Sequence, residues 1–309
     1  MKRKSLVSII IIAFIITSCS LTFQNEWETP FKNWLYQLQN ADPFEIASSG
    51  FELAVIDYSR DGNEEGEYSP EEIKIMLDAG VTPVAYLNIG QAEDYRFYWK
   101  NNWYENPPEW LGEEDPMWEG NYFVKYWDPE WKKIIFSYID RILSQGFKGV
   151  YLDRIDSFEY WSSKGQIPRR EAAICMIDFI ENIAEYIRKE NPDILIIPQN
   201  GENILEFDDG RLLSVVSGWS VENLFYFKTN PLPDNETENR IRYLDTLRWH
   251  GKFILSVDYV DDGSDSLENL ERILDYYKKC QEKGYIPYAA RSDLLLDEIN
   301  VIEGIQPVK

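Results

Sequence analysis

Asp and Glu are the residues of this chain whose types and placement best suit chemistry. The sequence holds a single histidine, His250, which follows a predicted helix (Asn239–Trp249) and precedes Gly251, a residue suited to a helix C-cap. A Ser-His-Asp or Cys-His mechanism would have to run through that one imidazole, far from any suitable nucleophile motif. No CxxC or Cys/His cluster is present to hold zinc, and no GxGxxG follows the first predicted strand to cradle a dinucleotide. Neither a metal nor another cofactor is therefore expected. What remains is acid/base work by carboxyls. Asp57, Glu93, Asp153, Asp156, Glu202, Glu222 and Asp258 each fall at or just beyond the end of an apolar run, in the company of Asn88, Arg96, Gln199, Asn200 and Tyr259.

Eight short β-branched or aromatic runs would have to bring those ends together. They are Trp34–Leu38, Leu53–Asp57, Pro83–Asn88, Gly149–Asp153, Ile194–Gln199, Val215–Val221, Phe253–Tyr259 and Ile286–Ala290. Helical patterns lie between them. Trp131, Ile134, Ile135, Tyr138, Ile142 and Leu143 form one apolar stripe, and Ala173, Ile177, Ile180, Ala184 and Ile187 another. Gly80, Gly146 and Gly284 are placed to end helices just before strands. Ser69-Pro70-Glu71-Glu72 reads as an N-cap, a proline at the first helical position and acids in the first turn. Strand and helix in regular alternation predict an α/β fold, a closed (β/α)₈ TIM barrel, rather than an open doubly wound sheet. One such barrel takes about 250 residues, which fits a single domain over 33–309. Its site lies at the C-terminal ends of the strands, where the polar residues collect.

The N-terminus predicts export. Lys2, Arg3 and Lys4 precede an apolar stretch, Leu6 to Ile16, too short for a membrane span of roughly 20 residues. It closes on Ile16-Thr17-Ser18-Cys19, which resembles a bacterial lipobox with Cys19 as the lipidation site. Residues 1–18 thus read as a lipoprotein signal peptide and 19–32 as a tether. The expected location is extracytoplasmic, anchored to the cell membrane or outer membrane by lipid alone. Cys175 and Cys280 fall on separate predicted helices and are expected as free thiols, with a disulfide as the alternative in that oxidising setting. A formal charge of −23 repels nucleic acid and anionic polymers and suits a cationic substrate, although it also serves solubility. The 11 Trp, 20 Tyr and 15 Phe cluster notably between Tyr95 and Trp131, where flat rings suit sugar faces or cap the core.

Several segments resemble the glycoside hydrolase family 114 barrels, the endo-α-1,4-polygalactosaminidase-like proteins. They are Tyr86-Leu87-Asn88-Ile89-Gly90-Gln91-Ala92-Glu93-Asp94-Tyr95-Arg96, Trp127-Asp128-Pro129-Glu130-Trp131, Gly149-Val150-Tyr151-Leu152-Asp153-Arg154-Ile155-Asp156, Gln199-Asn200-Gly201 and Val221-Glu222-Asn223-Leu224-Phe225-Tyr226. The resemblance spans roughly Trp34 to Ala290. Gln91 departs from it, since an acid or similar residue is expected there. The resemblance implies a hydrolase of an α-linked, amino-sugar-rich polysaccharide, with catalytic acids at the ends of strands 4 and 6, here Asp153 and Glu222. Glycosidic cleavage needs such a pair, one carboxyl to protonate the leaving oxygen and one to attack or activate water. By analogy with other α-acting barrels Asp153 is the nucleophile and Glu222 the general acid/base, a retaining arrangement that expects the carboxyls about 5–5.5 Å apart, whereas a gap of roughly 6.5–9.5 Å would mean inversion.

The other candidate substrate contacts carry two readings each. Asp57 is a ligand for a substrate amine or a barrel brace. Tyr86, Asn88 and Asn200 are pocket hydrogen-bonders or structural. Glu93 with Arg96 reads as a salt-bridged loop clamp ahead of a direct sugar contact. Trp127 is a candidate subsite ring beside Asp128, which is placed to cap the next helix. Asp258 and Tyr259 are candidate subsite residues, and Asp156, Asp57, Trp219 and Tyr226 candidates for the environment that keeps the acid protonated. Competing functions are a non-catalytic glycan-binding lipoprotein on the same barrel and a hydrolase of a different α-glycan. A metal-dependent deacetylase would want histidine ligands that the chain lacks.

Overall fold

The computed structural model describes residues 29–307. The signal-like segment, Cys19 and most of the tether at 19–32 lie outside the described residues. The chain forms a (β/α)₈ barrel in which strands β1 (Trp34–Gln37), β2 (Leu53–Ile56), β3 (Thr82–Asn88), β4 (Gly149–Asp153), β5 (Leu195–Pro198), β6 (Gly218–Glu222), β7 (Phe253–Asp261) and β8 (Ile286–Arg291) run in parallel. Helices α1 (Pro43–Ser49), α2 (Pro70–Asp78), α3 (Pro129–Gln145), α4 (Ser157–Ser163), α5 (Arg169–Arg188), α6 (Arg211–Val215), α7 (Asp234–Trp249) and α8 (Leu267–Lys283) fill the crossovers.

Hydrogen-bonded ladders join β1 through β5 and, separately, β6 through β8. The two arcs meet through a parallel bridge between Gln199 and Ser220. At the β8–β1 seam the Trp34 indole donates to the Ile286 carbonyl at 2.9 Å. The segment after β8 then straps back, its Leu296 carbonyl accepting from the backbone N–H groups of Leu38 and Gln39.

The strands are buried on both faces, as expected of a parallel sheet covered by helices. Rings fill the barrel interior: Trp34 lies 5.9 Å from Tyr36 and 5.8 Å from Tyr288, and Tyr36 5.3 Å from Tyr151, centroid to centroid. Helix starts follow their local chemistry. Ser69 and Glu72 form a reciprocal capping box, and Asp128 caps α3 by accepting from Glu130 N–H at 2.8 Å. Cys175 and Cys280 are free thiols, and no described helix is long and apolar enough to cross a membrane.

Two features depart from the sequence reading. Val215 ends helix α6, so the sixth strand starts at Gly218 instead. Between β3 and α3 a three-stranded antiparallel sheet (Gln91–Glu93, Leu111–Glu114, Asn121–Val124) rises over the barrel mouth. Most of the aromatic cluster expected there caps the core. Trp103, Trp110 and Trp131 are buried and in ring contact.

Candidate active site

The C-terminal ends of the strands enclose a cavity of about 490 Å³. Successive strand residues point to opposite faces, so the strand-end residues that share a parity reach it together. Tyr36 of β1, Asp57 just past β2, Tyr86 of β3, Asp153 of β4, Gln199 just past β5, Glu222 of β6 and Tyr259 of β7 all line it. Glu93, at the end of the first strand of the antiparallel sheet, and Asp156 and Asn200, from the loops after β4 and β5, do so as well.

Two carboxyls in this cavity are each held by a phenol. The Tyr86 hydroxyl donates to Asp153 Oδ2 at 2.6 Å, and the Arg154 N–H to Asp153 Oδ1 at 2.7 Å. Burial pushes Asp153 up from 3.8 to about 7; Glu222 and Asp156 add repulsion, whereas Arg154 and the Tyr86 hydrogen bond work against the shift. Opposite, the Tyr259 hydroxyl donates to Glu222 Oε1, and Gln199 Nε2 to Glu222 Oε2 at 3.1 Å. Burial raises Glu222 too, aided by Asp258, while hydrogen bonds from Tyr259 and Asn200 and the Arg240 charge favour its ionised form. Asp156, at the start of α4, is raised by burial and makes no capping hydrogen bond.

Beside this pair sits a buried ionic cluster. Arg96 Nη1 lies 2.8 Å from both carboxylate oxygens of Asp57, and Arg96 Nε donates to Glu93 Oε2 at 2.7 Å. Tyr95 donates to Glu93 Oε1 at 2.7 Å. Burial lifts Asp57 to about 6, with Arg96 opposing and Glu93 adding to the shift. The expected Glu93–Arg96 clamp is thus present and extends to Asp57.

Five candidates sit away from the cavity. Asn88 is buried, and its Oδ1 accepts from Gln91 N–H at 2.9 Å, fixing the turn after β3. Asp258 has the opposite parity to Tyr259. It is fully buried, accepting from the backbone N–H groups of Leu224, Phe225 and Tyr226 at 2.7–2.8 Å, so it braces the loop after β6. Trp219 likewise faces away from Glu222, its indole donating to the Asn200 carbonyl at 3.0 Å. Trp127 packs edge-on against Trp161 at 5.5 Å instead of lining a subsite. Tyr226, offered as part of the acid's surroundings, donates to Asp275 at 2.5 Å.

Sequence reasoning missed several groups. Tyr36 forms part of the cavity wall, and its inward position two residues after Trp34 was the available signal. Arg154, adjacent to Asp153 in its motif, pairs with Asp115 at 2.5 Å, and Asp115 also accepts from Gln91 Nε2 at 2.6 Å. Trp118 and Leu294–Leu296 line the cavity from distant loops. Arg240 of α7 reaches the backbone of Glu222, which no local pattern announces. Among the described residues no group of three His, Cys, Asp or Glu is placed to hold a metal ion. Two carboxyls lining one cavity, both raised above the ordinary carboxylate range by burial, suit general acid/base and nucleophilic work on a bond laid between them.

Known proteins share this architecture. The model of the glycoside-hydrolase family GH114 matches residues 18–306. A protein of Thermotoga maritima is 71% identical over 306 residues, covering 98% of this chain and 95% of its own length. One of Methanocaldococcus jannaschii is 57% identical over 269 residues, 86% of this chain and 78% of its own. Among solved structures, the glycoside hydrolase domain of PelA from Pseudomonas aeruginosa matches with a TM-score of 0.66 at 18% identity, over 88% of this chain and 98% of that one. Aspergillus fumigatus Ega3, in complex with galactosamine, matches with a TM-score of 0.64 at 14% identity, over 89% and 98%. At those identities the solved structures speak to the fold.

Proposed function

The chain belongs to glycoside hydrolase family GH114 and is a glycoside hydrolase, and on that premise we propose that it cleaves an α-linked, amino-sugar-rich polysaccharide of the polygalactosamine type, with Asp153 and Glu222 as its working carboxyls. The observation that carries the site assignment is the pairing of Asp153 and Glu222 across one cavity, each with a phenol donor. Buried carboxyls that repel one another shed one proton more readily than two. One protonated and one ionised group is the state glycosidic cleavage requires. The assignment of Asp153 as nucleophile follows the analogy with other α-acting barrels; Arg154 and the Tyr86 hydrogen bond offset part of the rise that burial imposes on it. Glu222 then protonates the leaving oxygen and afterwards activates water, a retaining mechanism.

The substrate class draws support from the acid-rich cavity, where Asp57, Asp61, Glu93, Glu119 and Asp156 join the pair, and from the galactosamine held by Ega3. The lipobox-like Ile16-Thr17-Ser18-Cys19 supports export and anchoring through Cys19. Loss of membrane association in Cys19→Ala would be the sign of it.

The deciding experiment is reducing-end release from partially deacetylated α-1,4-galactosamine polymer by wild type, Asp153→Asn and Glu222→Gln. Cleavage by wild type alone, with all three folded, is expected, and the first product anomer seen by NMR should retain the α configuration. Full activity in either variant refutes the pair. A folded but inactive wild type removes this substrate and favours another α-glycan or a glycan-binding role.

A further inference from the structure

Arg240, on helix α7, lies outside the carboxyl pair yet touches each segment that carries Glu222. We propose that Arg240 is a positioning residue for Glu222, with Glu202 as its counter-ion, and that it ties the ends of β5 and β6 together. The inference rests on the reading of Glu222 as a working carboxyl.

A guanidinium has five N–H donors in a planar fork, and here the fork makes five contacts. Nε donates to Glu202 Oε1 at 2.5 Å, and Nη2 to Glu202 Oε2 at 3.3 Å and to Asn200 Oδ1 at 3.0 Å. Nη1 donates to the carbonyls of Glu222 at 2.9 Å and Asn223 at 3.1 Å. The same Asn200 Oδ1 accepts from the Glu222 N–H at 2.9 Å. Both backbone polar groups of Glu222 are therefore tied to one side chain, directly or through Asn200. Asn200 and Asn223, which flank the junction, hold φ of 55° and 52°. Side-chain-bearing residues stay in that left-handed region only where their surroundings over-determine them. Glu202 is almost wholly buried, its side chain 5% exposed, so it is fixed in turn by Arg240. A lysine could not reproduce the fork.

The Glu222 carboxyl takes its own hydrogen bonds from Gln199, just past β5, and Tyr259, on β7. Its aim thus depends on how β6 sits against its neighbours, which is what Arg240 sets. The ionisable groups facing Glu222 are Tyr259 and Asp258 from β7, Asp153 and Tyr151 from β4, Tyr36 from β1 and Arg240 from α7. Arg240 is the cation of this set and favours the ionised carboxyl, whereas Asp258 opposes it. Its loss should both loosen Glu222 and leave that carboxyl protonated to higher pH.

The test uses Arg240→Met, Arg240→Lys and Glu202→Gln in the full-length enzyme, with folding checked by circular dichroism. Two readouts are taken: kcat and KM on partially deacetylated α-1,4-galactosamine polymer across pH, and the substrate-free titration of the Glu222 carboxyl by ¹³C NMR, assigned by its absence in Glu222→Gln. Arg240→Met should lower kcat about 100-fold, the cost of misplacing a catalytic group by about 1 Å, with little change in KM and the titration moved to higher pH. Arg240→Lys should keep the titration near its wild-type position, since the charge remains, yet recover only part of kcat. Glu202→Gln should lower kcat and not KM. Folded Arg240→Met with wild-type kcat and titration overturns the proposal, as does a rise in KM at constant kcat, which would make Arg240 a substrate contact. If Arg240→Met does not fold, the lysine and Glu202 variants decide by the same criteria. If wild type leaves the polymer uncut while the titration moves as expected, the substrate reading fails and the positioning role stands.

Discussion

Replacing Asp153 by asparagine should make the protein more stable at neutral pH and leave it unchanged at acid pH. Burial is the main reason that the Asp153 carboxyl stands at about 7 instead of 3.8. A raised value means that the folded protein holds this proton more tightly than the unfolded chain does. Below 3.8 both states are protonated and Asp153 costs the fold nothing. As pH climbs from there to about 7, the unfolded chain gives up its proton first, and stability falls by about 1.4 kcal/mol per unit. Slightly over three units amounts to about 4 kcal/mol at pH 8, an upper figure because Asp153 keeps some contact with solvent. Asparagine has nearly the same shape, still accepts from Tyr86, and carries no charge to desolvate. At roughly 2 °C per kcal/mol, melting temperatures of the two proteins should coincide near pH 3.5 and separate by several degrees at pH 8, with the inactive variant ahead. Calorimetry at a series of pH values reads this directly. A variant that melts below wild type at pH 8, or a gap that does not change with pH, would refute the view that Asp153 is held as a costly buried acid.

Arg96→Met should destabilise the fold by about 3–5 kcal/mol in urea titrations, because Asp57 and Glu93 would be left buried without their cation; an unchanged midpoint would mean that water replaces the guanidinium. Tyr86→Phe removes a donor that favours the Asp153 anion, so the acid limb of kcat/KM should move to higher pH and the rate fall about 10- to 100-fold, as for a lost hydrogen bond to a charged group. A limb that stays in place would show that Asp153 does not set it. Gly90→Ala would put a methyl 2.1 Å from the Arg154 carbonyl and 2.3 Å from Ser157 Oγ. It should push the turn after β4 away from β3, with kcat falling about 100-fold and a lower melting temperature. Wild-type activity in that variant would mean that the turn adjusts without moving Asp153.

The barrel strands were legible because parallel strands covered on both faces are short, unbroken apolar runs, and the glycines and caps between them mark the turns. The same rule failed at Val215, where a brief apolar run belongs to a helix that packs just as deeply. The antiparallel sheet over the mouth escaped notice because its strands are three or four residues long and two carry acids at adjacent or terminal positions, without a clean alternation. Within the site, reading strand ends found Asp153, Glu222, Asp57 and Tyr259 but added neighbours of the wrong parity. Trp219 and Asp258 lie near the end of a strand, but the pleat turns them to the other face. Arg240 lies 38 residues in sequence from its partner Glu202, on a helix whose polar residues look like any solvated surface. Long-range hydrogen bonding of that kind leaves no periodic mark in a sequence.

The choice of tyrosine as donor to both carboxyls has a consequence for how the enzyme should respond to pH. A phenol combines a rigid apolar body, which packs into the barrel wall, with a polar tip that reaches the cavity. Burial and the adjoining anions raise Tyr36, Tyr86 and Tyr259 well above the ordinary phenol value. These hydroxyls therefore remain protonated, and remain donors, throughout the range in which Asp153 and Glu222 titrate. A histidine in either place would change charge in that same range and add a third ionisation. With phenols the carboxyls titrate against a constant set of hydrogen bonds, and Asp153 and Glu222 repel one another. The two limbs of a pH–rate profile should then be macroscopic values that belong to the pair, not to either residue alone. Substituting one carboxyl should accordingly shift the titration of the other downward, toward the ordinary carboxylate range, since its neighbour's charge is gone.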